Sequence, residues 1–129
     1  MHTDQTPARP AAIGPRGRRR RRLLTIGHSY CVGANRRLAH ELARTGEWDV
    51  TVAGPASFRG DFAVHTMTRE GDEATTLVPL TTWMPRPLHT MVYGWPLRHL
   101  LRERWDLVHC WAEPYVASAA QVAAWTPAP

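Results

Sequence analysis

The apolar positions of this chain fall into short blocks whose period changes along its length. Leu23-Leu24-Thr25-Ile26 is an almost continuous apolar run ended by Gly27, the pattern of a strand buried on both faces of a parallel sheet. Over residues 34–45 the period becomes helical. Leu38, Ala39, Leu42 and Ala43 share one face, Arg36, Arg37, His40, Glu41 and Arg44 take the other, and Gly46 stands where a glycine ends a helix. Val50-Thr51-Val52-Ala53 predicts a second strand, closed by Gly54-Pro55.

Between residues 56 and 74 the pattern weakens. Phe62, Val64 and Thr66 alternate like an edge strand, and Glu70, Gly71, Asp72 and Glu73 form a charged turn. Residues 76–80 predict a third core strand. Pro85 and Pro87 then exclude regular structure until a helix over 96–104, with Leu97, Leu100 and Leu101 as its buried stripe and Pro96 in its first turn. Residues 106–110 predict another strand, and Pro114 opens an Ala-rich helix that runs to Trp125. This alternation predicts an α/β fold, a Rossmann-like, doubly wound, mostly parallel sheet. Right-handed crossovers place every strand's carboxyl end on one edge, where such folds bind ligands. The loops 27–33, 54–61 and 110–115 meet there.

Charge divides the chain in two. All 16 cationic side chains are arginine, so the lysine of a P-loop or a Schiff base is absent. Residues 1–22 hold seven arginines against Asp4, whereas residues 23–129 hold nine against ten acids. The excess positive charge therefore belongs to a leader, which its prolines, glycines and lack of apolar residues predict to be disordered. Two functions fit it: a solvated tail, or a weak contact with anionic membranes. No specific nucleic-acid interface is expected, because the folded part is not basic. Residues 23–26 are too short an apolar run for a secretory signal, and no window approaches a membrane span. A cytoplasmic protein with its two cysteines reduced is expected. Arginine, alanine and proline in place of lysine is the usage of a GC-rich bacterial gene.

Candidate chemistry concentrates in two loops. Gly27, His28, Ser29 and Gly33 form a glycine-flanked turn that lets backbone approach a ligand, but their spacing is not the G-x-G-x-x-G of a dinucleotide site. Asn35, Arg36 and Arg37 follow; an arginine here can reach an anion or stay in solvent. In the other loop, His109 and Glu113 are candidates for acid/base work. His109 is equally readable as a satisfied core histidine, and Glu113 as a helix cap. His28, Cys31, His109 and Cys110 lack the tight pairs of a zinc site, so no metal and no cofactor is expected.

The segments LLTIGHSYCVGANRRLAHELARTGEWDVTVAGP and RERWDLVHCWAEPYVASAAQVA resemble the N-terminal, acceptor-side domain of family 4 glycosyltransferases. That resemblance implies a retaining enzyme of the GT-B fold, with its active site in the cleft between two Rossmann-like lobes. Gly27, His28, Ser29, Gly33, Asn35, Arg36 and Trp111 would line the substrate side, with Glu113 and His109 catalytic. The implied partners are a nucleotide-sugar donor and a sugar or lipid acceptor. The family pattern D-h-h-H-x-H-x-P is met by His109, whereas Trp111 stands at the second histidine, so Glu113 replaces it as the candidate. Residues 23–129 then represent an incomplete N-terminal lobe of a GT-B fold, inactive alone. The alternative is a non-catalytic binding module with an Arg-rich, polyanion-contacting tail.

Overall fold

The computed structural model describes residues 13–15 and 17–129. Most of the expected leader, residues 1–12 with Arg16, lies outside the described residues. Four strands form the central sheet: β1 (Arg21–Ile26), β2 (Trp48–Pro55), β5 (Thr76–Leu80) and β8 (Leu107–Cys110). Two small antiparallel pairs lie beside it, β3 (Ser57–Arg59) with β4 (Val64–Thr66) and β6 (Thr82–Trp83) with β7 (Val92–Tyr93). The helices are α1 (Arg37–Arg44), α2 (Pro96–Leu101) and α3 (Ala117–Trp125), and two 3₁₀ turns, His28–Cys31 and Gly33–Arg36, lead from β1 into α1.

Every pair in the central sheet is parallel, and the spatial order is β5-β2-β1-β8. In chain order this is third, second, first, fourth: the doubly wound arrangement of a Rossmann-like α/β domain. The chain steps one way through the first three strands and then crosses back to the far side of β1. With right-handed crossovers, that reversal puts the connecting helices on opposite faces. On one face, α1 and the first 3₁₀ turn supply Ala39, Ala43, Tyr30 and Cys31 against Leu23, Val50 and Val52. On the other, α2, α3 and β7 supply Leu97, Leu101, Val122 and Tyr93 against Leu24, Ile26, Ala53 and Leu80. The alternate residues of one apolar run thus feed two cores, which is why Leu23-Leu24-Thr25-Ile26 shows no polar alternation.

Several expectations are revised. The folded part begins earlier than residue 23, because Arg21 and Arg22 open β1. Asp106 explains this: its carboxylate accepts a fork of hydrogen bonds from the Arg19 guanidinium at 3.0 and 2.7 Å and another from the Arg22 backbone N–H at 2.6 Å. Arg22 also reaches Glu103 at 2.8 Å and lies over the Trp105 ring, as Arg21 does over Trp48. Leu38 is 62% exposed, while Arg36, expected on the polar face, is 1% exposed. The helical repeat gives the reason: Arg36 precedes Ala39 by three residues and Ala43 by seven, the same stripe. Phe62 stands in a turn between β3 and β4 and is fully exposed. The proline-rich stretch is bracketed by the β6–β7 pair. The last helix starts at Ala117, three residues after Pro114, and α2 ends at Leu101.

Candidate functional site

The order of the sheet reverses between β1 and β8. This is the topological switch point, where open α/β sheets take ligands. Ile26 pairs with Cys110 at the last rung, and the Trp111 N–H donates to the Ile26 carbonyl at 2.7 Å, extending the ladder one step. Gly27 follows Ile26 and is required there for space. A methyl group on it would lie 2.8 Å from the Trp111 carbonyl oxygen, and one on Gly54 would lie 2.9 Å from the Gly27 carbonyl oxygen. Three strand ends are therefore drawn together at two glycines.

Around this junction the face of the sheet shared with α1 carries a hydrogen-bonded chain. Thr25 on β1 stands in register with His109 on β8. Its Oγ1 lies 2.8 Å from Tyr30 Oη, which arrives from the first 3₁₀ turn, and 2.9 Å from His109 Nδ1. Thr25 and Tyr30 are buried, whereas His109 is exposed, because α1 covers β2 and leaves β8 open on this side. His109 is thus not a core histidine. One ring nitrogen is anchored and, among the described residues, the other has no partner. Trp111 stands edge-on to it, with ring centroids 6.0 Å apart, and is 52% exposed. Burial raises the Tyr30 phenol above its ordinary value, against the smaller lowering effect of its bond with Thr25, so it stays protonated at neutral pH.

The other expected site residues divide. Glu113 is exposed; it does not cap α3, whose N-cap is Val116, and no hydrogen bond or ion pair engages its carboxylate among the described residues. His28 is half-buried and tilts toward Phe58 of β3, with ring centroids 6.3 Å apart. Ser29 contributes backbone: its carbonyl accepts from Val32 N–H and, at 2.9 Å, from Asn35 Nδ2. Asn35 therefore staples the loop. Gly33 lies beneath the Glu70 carboxylate, beside a groove of about 420 Å³ bordered by Arg37, His40, Asp72 and Glu73.

Arg36 is the clearest correction. Its Nε and Nη2 grip the Glu73 carboxylate at 2.6 and 3.0 Å, Nη1 donates to the Tyr30 carbonyl and Nη2 to the Thr68 carbonyl, both at 2.7 Å. A guanidinium so occupied is a structural latch and is not free to meet an anionic ligand. Burial of Glu73 opposes its ionisation. The Arg36 hydrogen bond, the Glu70 N–H and the charges of Arg36 and Arg69 outweigh that and hold its carboxyl below the usual range.

Cys31 and Cys110 sit against opposite faces of the sheet, and burial raises both thiols. Among the described residues there is no group of three or more His, Cys, Asp or Glu side chains that could hold a metal ion, and no helix is long and apolar enough to cross a membrane.

Thr25 and Tyr30 are the functional candidates that the sequence reading passed over. The available signal was a threonine inside an otherwise apolar strand, since a buried hydroxyl needs a partner. The fold defines a class: a doubly wound, Rossmann-like α/β domain. No protein-family model, curated protein or solved structure matches the chain.

Proposed function

We propose that this chain is the acceptor-binding lobe of a retaining glycosyltransferase of the kind its sequence resembles. One observation carries the reading. The two segments of the resemblance, the glycine loop after β1 and the HCWAEP stretch that ends and follows β8, meet at the switch point, where residues 84 positions apart stand in register. In this reading the acceptor lies over Gly27 and Ser29, with Trp111 offering a flat apolar surface to a sugar ring. Glu113, exposed and uncommitted, takes the hydroxyl proton. The nucleotide-sugar donor binds to a second lobe, and departure of its diphosphate needs cationic stabilisation that this junction does not supply.

The competing module, a basic tail gripping polyanions or anionic membranes, loses part of its charge to the fold, since Arg19, Arg21 and Arg22 are engaged internally. Amide spectra of the chain, titrated with a methyl glycoside, test the reading. Shifts confined to Gly27, Ser29, Trp111 and Glu113 are expected; unmoved amides there overturn it. Salt-sensitive heparin binding without sugar-dependent shifts favours the module instead.

A further inference from the structure

We propose that Tyr30 and Thr25 form a proton-ordered chain that holds His109 as its Nε2–H tautomer, so that the histidine meets a ligand as a neutral hydrogen-bond donor. The argument is an accounting of hydrogens in a buried place. Tyr30 carries one O–H, and among the described residues the only acceptor within its reach is Thr25 Oγ1, at 2.8 Å. The phenol therefore donates to the threonine. Thr25 has one hydrogen of its own, and the remaining acceptor is His109 Nδ1, at 2.9 Å. A hydroxyl directed at Nδ1 needs a lone pair there, which places the ring proton on Nε2.

The reverse tautomer leaves a hydrogen stranded. If Nδ1–H donates to Thr25 Oγ1, three hydrogens share two contacts, and either the threonine or the phenol must leave its own unbonded. One hydroxyl hydrogen then has no acceptor among the described residues, and both Thr25 and Tyr30 are buried. The cost of one orphaned buried donor biases the ring by roughly tenfold or more. Neither hydroxyl touches a ligand: Thr25 and Tyr30 are positioning residues, and the exposed Nε2 edge of His109 is the binding group. Such an edge suits the lone pair of a hydroxyl oxygen. It cannot accept that hydroxyl's proton, which removes His109 from the base role and leaves Glu113 with it. The ligand half of this inference rests on the acceptor-lobe reading, whereas the tautomer does not.

Two-bond proton–nitrogen correlation of the histidine rings decides it, recorded on the 129-residue chain at about pH 8, above the usual imidazole range. A His109→Gln variant identifies the cross-peaks. An Nε2–H pattern is expected in the wild type, a mixed pattern in Thr25→Val, and recovery in Thr25→Ser, which restores the hydroxyl. A wild-type Nδ1–H or mixed pattern overturns the proposal, whether or not the valine variant folds. Addition of methyl α-glucopyranoside should move the Nε2–H resonance. An Nε2–H pattern that ignores the sugar overturns the ligand half together with the acceptor reading, and leaves the tautomer standing.

Discussion

Arg36 shows how one side chain can carry a local architecture. It joins the turn after β1, the strand-free segment at Thr68 and the acidic turn at Glu73, with side chains 1% and 8% exposed at the ion pair. Truncation to Arg36→Met leaves the buried Glu73 carboxylate only the Glu70 N–H and the nearby Arg69 charge, and about 3–5 kcal/mol of stability should be lost in urea unfolding. The pair also sets an acid limit. Because Glu73 titrates lower in the folded chain than in the unfolded one, its contribution is complete above the usual carboxylate range. It falls away as the pH drops through the depressed folded value. Glu73→Gln should flatten that part of the stability–pH curve, and an unchanged acid slope would sink the assignment. Thr25 and Arg36 were misjudged for related reasons. Thr25 stands in an apolar run and Arg36 on a polar helix face, and in both cases the partner that fixes the role lies far along the chain, at His109 and Glu73.

At the scale of elements, the four parallel strands, α2 and the Ala-rich helix were legible because each is a compact block of one period. Their ends were not. Pro114 reads as a first helical turn, yet Tyr115 and Val116 still lead away from the junction before α3 begins at Ala117. The amino end of β1 was hidden for a different reason. Arg21 and Arg22 look like the continuation of a basic leader, and only the distant Asp106, Glu103 and Trp105 make them strand. Trypsin should therefore spare the bonds after Arg21 and Arg22 in the folded protein. Asp106→Ala, which removes the acceptor for Arg19 and for the Arg22 N–H, should open them to cleavage. Equal digestion of both proteins would contradict the clamp. Of the expected site, Gly27, His109 and Trp111 converge as the strand order implies, while Gly33, Asn35 and Arg36 turn to holding the loop.

For the molecule as a whole, the central sheet ends in two edge strands, β5 and β8. Among the described residues nothing pairs with the outer edge of β8, where Leu107 and Trp111 are exposed on one face. No proline or charged side chain lies within β8 to blunt that edge. The isolated chain should self-associate at high concentration, and Leu107→Lys should reduce its light scattering; equal scattering from both would show that this edge is inert.

The β2-to-β5 crossover carries no helix, only the β3–β4 hairpin and the segment that Arg36 holds. Much of that excursion is exposed, and it is fastened at two kinds of point: Met67 and Phe58 in the apolar core under α1, and the Arg36–Glu73 ion pair. Protonation of one carboxylate then acts on a whole stretch of chain at once. The crossover becomes a unit that opens ahead of the apolar sheet, and its amides exchange with solvent together while those of β1 and β2 stay protected. Two stabilities coexist in one small domain, and the lesser of them answers to pH through Glu73.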